Sequence, residues 1–359
     1  MQIMVGSLSG GVNKILTVIV PSYNMEQYLP KCLGSLVVAS EWMERLEILV
    51  VNDGSKDRTS EIAHEFAAKW PQTFKVIDKE NGHYGSCINA ALKVAHGTYV
   101  KVLDADDWFE TEGFVGFLRY LLEEAEGRWG GVDLVLTDYD CYDEQGRDTG
   151  KIRQKLPVGE VFGIERLVKR PFVTFMHGYA YRTELLRTIR YRQTEGMIYT
   201  DTEWIFYPAA MAKRICYCPV VVYNYLFGRE GQSVCPAVAT RSTGIFVKLL
   251  FNMLELYDRV KAGVSEDGIA YMRRHLLRVS ERVYCGFFLY GTVCGSCCGV
   301  VEFDRRLRIR SEEIYAEVFA GSKKLGFFIR TWRRHPFFRV FMGLGIHCWY
   351  RIKLLGHKR

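Results

Sequence analysis

The sequence predicts an α/β fold, with a mostly parallel central sheet covered by helices on both faces and a helical region after it. Three observations carry this. Apolar, β-branched runs alternate with helix-like segments through the first third of the chain. Polar clusters follow three of those runs directly. From about Pro236 onward the strand signals give way to long helical stretches, including Ile245–Lys261 and Tyr271–Leu289.

The elements follow in order. Ile15–Val20 is a buried strand that ends at Pro21, and Met25–Ala39 has helical spacing. Leu46–Val51 is a second strand, stopped by Asn52-Asp53-Gly54-Ser55. Thr59–Lys69 is a helix, Phe74–Ile77 a strand, Tyr84–Ala95 a helix, and Tyr99–Leu103 a strand ending at Asp104. Val132–Tyr139, Phe172–Arg182 and Ile215–Tyr225 give further strands, with a polar, turn-rich segment from Asp140 to Gly159 and a helix over Thr202–Met211. The expected division is a leader at 1–14, an α/β domain at 15–235 and a helical region at 236–359.

With 359 residues, 48% hydrophobic and 25% charged, the chain is long and apolar enough for a substantial core. The net charge of +7 is uneven: residues 302–359 hold 14 Lys/Arg against 5 Asp/Glu. In that tail Phe327-Phe328-Ile329-Arg330-Thr331-Trp332-Arg333-Arg334 and Phe337-Phe338-Arg339-Val340-Phe341 set rings beside cations. Such a segment suits the edge of an anionic membrane, or packs its rings inward and leaves its charges in water. No nucleic-acid partner is expected. The 11 cysteines show no framework, and Met1–Gly11 lacks the basic start of a signal peptide. Reduced thiols and a cytoplasmic location are therefore expected. Cys294-x-x-Cys297-Cys298 lacks a second ligand pair and reads as a packed stretch of small residues. The uncharged Val283–Val301 is long enough to span a bilayer, but its Gly, Ser, Thr and Cys content favours a buried helix followed by a loop.

In a parallel sheet, ligands bind beyond the carboxyl ends of the strands. Ser22-Tyr23-Asn24, Asn52-Asp53-Gly54-Ser55 and Asp104-Ala105-Asp106-Asp107 all fall there. Carboxylates crowded after a strand repel one another, and a divalent cation with a taste for hard oxygen ligands, Mg²⁺ or Mn²⁺, relieves that repulsion. Asp107 also suits a helix N-cap. Asp53 could accept a hydrogen bond from a nucleobase imide, and Gly54 allows a sharp turn.

Together these segments resemble the family 2 glycosyltransferases, which have the Rossmann-like GT-A fold. The resemblance rests on Ile19-Val20-Pro21-Ser22-Tyr23-Asn24, Val51-Asn52-Asp53-Gly54-Ser55-Lys56-Asp57, Asn81-Gly82-His83-Tyr84-Gly85 leading to Asn89, and Asp104-Ala105-Asp106-Asp107. It implies that Pro21, Tyr23 and Asp53 hold the base of a nucleotide-sugar donor, most often uracil, with Asn24 beside them. It implies further that Asn81 and Gly82 approach the donor and that Asp104 and Ala105 lie by the ribose. Asp106 would be the direct metal ligand, with Asp104 near the metal. The resemblance implies an inverting transfer to a hydroxyl of a glycan or lipid-linked acceptor, and hence a carboxylate base.

Asp201, in Tyr199-Thr200-Asp201-Thr202-Glu203-Trp204, is the candidate base, and Glu203 the fallback. Thr200 stands where many family members have Glu. Asp201 equally suits a helix N-cap. His177 lines the acceptor side or is a satisfied structural histidine. Arg229, in Gly228-Arg229-Glu230-Gly231-Gln232-Ser233, reaches a diphosphate from a lid or stays solvated. Other classes fit less well. The first strand lacks the G-x-G-x-x-G of a nicotinamide dehydrogenase. A processive membrane synthase would carry clear spans and a Gln-x-x-Arg-Trp motif. A non-catalytic scaffold of a glycan-assembly complex is the alternative in another class.

Overall fold

The computed structural model describes residues 13–128, 130–169, 175–229, 236–290, 293–318 and 323–334. Ten strands form one sheet: β1 (Leu16–Ser22), β2 (Leu46–Asn52), β3 (Phe74–Asp78), β4 (Tyr99–Val102), β5 (Trp108–Phe109), β6 (Leu134–Tyr142), β7 (Asp148–Ile152), β8 (Val161–Phe162), β9 (Tyr179–Arg182) and β10 (Ile215–Leu226). The order is β3-β2-β1-β4-β9-β6-β10-β5, with β7 on β6 and β8 on β10.

The first four strands are parallel, as their helical connections require. All residues of β2 are buried, which is why that strand, apart from Glu47 and the terminal Asn52, reads as an apolar run rather than an alternating one. The second half adds antiparallel strands to this parallel core. β9 runs antiparallel to both β4 and β6, while β10 returns parallel to β6, so the sheet is mixed. Antiparallel neighbours need no helical crossover, so the polar segment after Asp140 can deliver strands without long helices.

Two expected helices are shorter than their periodicity suggests. Met25–Ala39 contains only Leu29–Gly34, with Pro30 in its first turn, and a separate turn of helix follows at Ser40–Met43. Thr202–Met211 divides into Asp201–Trp204 and Tyr207–Met211. Pro208 explains the break, since it has no N–H to donate and its ring crowds the carbonyl one turn earlier. The strand expected over Phe172–Arg182 is β9 alone, preceded by a 3-10 turn at Met176–Gly178, and residues 172–174 lie outside the described set.

Two compact units emerge from the packing. The first takes the described residues within Met1–Phe162, Met176–Gln193 and Lys213–Leu226, and the second those within Gly163–Phe175, Thr194–Ala212 and Phe227–Arg359. The chain therefore passes between units several times, whereas the sequence suggested one boundary near residue 235. The first unit holds the sheet and its core, centred on Leu16, Val18, Val20, Ile48, Val50, Phe114, Phe117 and Tyr223.

The second unit is built on the helices Pro236–Val260, Glu266–Tyr290, Val293–Arg310 and Lys323–Arg334. Its buried residues include Leu249, Met253, Met272, Leu276, Phe303 and Leu307. In the tail, Ile329 and Trp332 are buried, with Trp332 edge-on to Phe288 at 5.9 Å. Arg333 pairs with Asp304 at 2.7 Å, whereas Phe327 is exposed. Of the three rings in the first aromatic stretch of the tail, Trp332 thus packs inward, Phe328 is half-buried and Phe327 faces outward, and Phe337–Phe341 lies outside the described residues. So do the N-terminal leader to residue 12, the side chains of Cys294, Cys297 and Cys298, and the Glu230–Ser233 segment after Arg229. Val283–Val301 is shared between two helices, and no helix among the described residues is long and apolar enough to cross a membrane. Cys32, Cys87, Cys141, Cys216, Cys218 and Cys285 are free thiols.

Candidate functional site

Register brings the three polar clusters to one edge of the sheet. β1 lies between β2 and β4, with Ser22 opposite Asn52 and Ile19 opposite Val102. Just past the strands, the Asp53 amide donates to the Ser22 carbonyl at 2.9 Å, and the Leu103 amide to that of Ile19 at 2.9 Å.

The loops after β1 and β2 are fastened to one another. The Asn24 amide donates to Ser55 Oγ at 3.1 Å, while Asn24 Oδ1 accepts from the Lys56 amide at 2.8 Å. The Met25 amide reaches Thr59 Oγ1 at 2.7 Å, and the Glu26 amide reaches Asp57 Oδ2 at 3.0 Å. Asn24 adopts φ 53°, a left-handed conformation that Asn tolerates better than most residues. Its side-chain oxygen is spent on this fastening. The neighbouring Tyr23 ring is left 45% exposed, open to stacking by a planar ligand. Pro21 sits within β1, opposite Val51.

Asp53 is 2% exposed, yet its carboxylate is well supplied with donors. Oδ1 accepts from Lys79 Nζ at 2.6 Å and from the Gly82 amide at 3.0 Å. A Cβ on Gly82 would come within 2.7 Å of Ser86 Oγ and 3.2 Å of Lys79 Nζ, so the glycine is required by close approach. Gly54 (φ 75°) faces the backbone of Asn81 in the same way, at 3.1 Å from its own would-be Cβ. Asn81 itself is exposed.

The helix His83–Leu92 spans the gap between the acidic clusters. From its first turn Ser86 lies beside Asp53, with Oγ to Oδ1 at 3.5 Å, and Tyr84 donates to Asp104 Oδ1 at 3.1 Å. Asp104 and Asp106 are partly exposed, whereas Ala105 and Asp107 are buried. The three carboxylates lie with one oxygen each within 4.8 Å of the others, the one such group of potential metal ligands among the described residues. The donor set is hard oxygen only, which fits Mg²⁺ or Mn²⁺.

Asp107 does other work. Its Oδ2 accepts from Tyr223 Oη at 2.5 Å and its Oδ1 from the Leu226 amide at 2.7 Å. Tyr223 Oη in turn accepts from the Asp104 amide at 3.1 Å. Burial, with Asp106 and Asp104 beside it, pushes the Asp107 carboxyl well up. Asp104 and Asp106 are therefore the pair that can hold a cation, with Asp107 bracing their loop from below rather than capping a helix.

His177 is 5% exposed and lies among Tyr225, stacked at 4.5 Å, Tyr223 at 4.5 Å and Tyr139, edge-on at 5.2 Å. Burial, then the nearby Lys101, lowers its pKa to about 3, so the ring is neutral. His177 is thus enclosed by three tyrosine rings. Beneath it Lys101 is fully buried and donates to the His177 carbonyl at 2.5 Å.

Asp201, Glu203 and Arg229 belong to the second unit. Glu203 is buried, and both oxygens are engaged by Thr194: Oε2 by its amide and Oε1 by its hydroxyl, each at 2.7 Å. It anchors the chain before the helix and is poorly placed as a fallback base. Asp201 opens that helix and is partly exposed. Burial raises its carboxyl pKa, opposed by the Thr202 backbone and Arg282. Arg229 is partly exposed. Sequence reasoning missed Lys79, Ser86, Tyr223 and Lys101 as parts of the site. Only Ser86 carried a signal, lying between the Asn81–Gly85 segment and Asn89.

A curled mixed sheet of this order, with the acidic pair at the ends of its parallel strands and helices after it, is the GT-A glycosyltransferase fold. TarS residues 1–349 from S. aureus, in a crystal structure with UDP-GlcNAc, superpose with a TM-score of 0.66 at 20% identity, covering 94% of this chain and 92% of that one. Residues 17–187, a little under half of the chain, match the family model for glycosyl transferase family 2. Among curated proteins, the uncharacterized glycosyltransferase MG025 of Mycoplasma genitalium is 35% identical over 130 residues, 36% of this chain and 40% of the relative. Putative glycosyltransferase EpsH of Bacillus subtilis is 37% identical over 136 residues, 38% of this chain and 36% of the relative. The chain thus matches well under half the length of these relatives.

Proposed function

We propose that the chain transfers a sugar from a nucleotide-diphosphate donor, a uridine compound, to a hydroxyl of a glycan or lipid-linked acceptor, with inversion at the anomeric carbon. The observation that carries this is the linking of Asp53 and Asp104 by the first turn of one helix, Ser86 reaching Asp53 through the Lys79 ammonium and Tyr84 donating to Asp104. Base recognition and diphosphate binding need two polar stations on one rim, and the register of β1, β2 and β4 supplies them. Tyr23 and Pro21 flank the base, and Asp53 accepts its imide hydrogen. Asn24 holds the loop that presents Tyr23, while Asn81, Gly82 and Ala105 line the donor. The UDP-GlcNAc bound by TarS is in keeping with such a donor.

Asp104 and Asp106 would hold Mn²⁺ or Mg²⁺, which when bound supplies positive charge against the departing diphosphate. Asp201 takes the proton of the acceptor hydroxyl, and its raised pKa suits a base better than an ordinary carboxylate does. Arg229 contributes a guanidinium to the diphosphate. The free thiols fit the cytoplasm. The basic tail, with Phe327 exposed, fits peripheral contact with an anionic membrane that carries the acceptor.

A thermal-shift panel of nucleoside diphosphates and their sugars, with and without Mn²⁺, tests the proposal. Uridine compounds are expected to raise the melting temperature, more so with metal. Donor hydrolysis in Asp106→Ala should fall by at least a hundredfold, on the order expected for lost charge stabilisation, with the fold intact. Donor binding without any metal-dependent hydrolysis would favour the scaffold alternative. No binding by any nucleotide would defeat both the enzyme and the donor site.

A further inference from the structure

We propose that Lys79 is a positioning residue that sets base selectivity by filling one oxygen of Asp53 and leaving the other as a lone acceptor. The proposal rests on Asp53 being the base-reading carboxylate, as above.

The hydrogen-bond accounting is closed on one side of the cluster. Lys79 Nζ has three hydrogens and three acceptors: Asp53 Oδ1 at 2.6 Å, the Glu80 carbonyl at 2.5 Å and Ser86 Oγ at 2.8 Å. The Ser86 hydroxyl hydrogen goes to the His83 carbonyl at 2.7 Å, much closer than Asp53 at 3.5 Å. Asp53 Oδ1 therefore receives two donors, the Lys79 ammonium and the Gly82 amide, and has no lone pair to spare. Among the described residues no N–H or O–H donates to Oδ2, and only the weakly donating Cys87 thiol lies against the carboxylate. Gly82 keeps the arrangement possible, because any Cβ there would press on Ser86 and Lys79.

One acceptor oxygen matches a base edge with one central N–H. Uracil and thymine present that edge, a ring N–H between two carbonyls. Guanine presents a ring N–H beside an exocyclic amine, and that pair of donors is met by a carboxylate using both oxygens. With Oδ1 already filled, guanine leaves a donor unpaired, and a buried unpaired donor is what sites of this kind reject. Lys79 spends all three hydrogens within the protein, so it acts through Asp53 and does not itself touch the base.

The test is calorimetric binding of UDP and GDP, with Mn²⁺ present, to the full chain and to Lys79→Met and Ser86→Ala. Wild type should prefer UDP by about tenfold or more, in line with the cost of one unpaired buried donor. Lys79→Met should lose about tenfold in UDP affinity and should narrow the UDP:GDP ratio, because Oδ1 is released to take a second N–H. In turnover, KM for the donor should rise while kcat stays near wild type. Ser86→Ala, which removes one of the three acceptors that hold the ammonium, should shift the ratio the same way by less, and keeps the prediction measurable if Lys79→Met does not fold. An unchanged UDP:GDP ratio in a folded variant overturns the proposal, as does an equal loss for both nucleotides. Failure of wild type to bind any nucleotide overturns the donor reading instead.

Discussion

Replacing Lys101 by Met probes the most costly group beneath the site. Lys101 lies in β4 with no exposed surface, and among the described residues its ammonium donates to the His177 carbonyl. Burial lowers its pKa from 10.5 to about 7. The unfolded chain keeps the proton up to the ordinary value, whereas the folded chain gives it up near 7. Between these limits the unfolded state binds more protons, so stability contributed by this position increases as pH rises. The gap of roughly three and a half units, at ~1.4 kcal/mol per unit, amounts to about 5 kcal/mol. Below pH 7 both states are charged and the slope disappears.

Urea denaturation of wild type and Lys101→Met at a series of pH values between about 6 and 10 reads this directly. Buried tyrosines and cysteines also titrate toward the upper end, but in both proteins alike, so the difference between the two is the quantity of interest. It should be level below pH 7 and then move in favour of wild type by ~1.4 kcal/mol per unit. A difference that stays level from pH 7 to 10 refutes the claim that the ammonium is desolvated.

Two further predictions concern the carboxylates. Asp201→Asn should lower kcat by a hundredfold or more, about what loss of a general base costs, with donor affinity kept. The wild-type acid limb should lie above the ordinary carboxylate range, because activity needs the ionised form and burial raises the pKa. An acid limb that survives in the Asn variant sinks the assignment. Asp107→Asn keeps one acceptor oxygen but turns an amide toward either Tyr223 or the Leu226 N–H. It should cost ~1.5–3 kcal/mol in urea denaturation and weaken metal binding through the Asp104 amide. Wild-type stability in that variant would mean Asp107 is not the brace described.

What could be read from the chain alone was set by local pattern. Apart from Thr17, Glu47 and Lys101, the buried runs at β1, β2 and β4 are largely apolar because each strand is covered on both faces, and turn-forming residues follow their ends. Parallel pairing then puts those ends on one edge, so the positions of Asp53 and of Asp104-Ala105-Asp106 followed from order and spacing. Tertiary structure decided what no window of sequence contains. The direction of β9 depends on partners at β4 and β6, far off in the chain, and the grouping of Asp201 with the helical unit depends on packing across long separations. The split roles of the acidic residues belong there too. Asp104 and Asp107 lie three residues apart in one motif, but Tyr223, over a hundred residues on, claims Asp107 for the core and leaves Asp104 at the rim. A side chain's partner is chosen by three-dimensional proximity and burial, and local composition records neither.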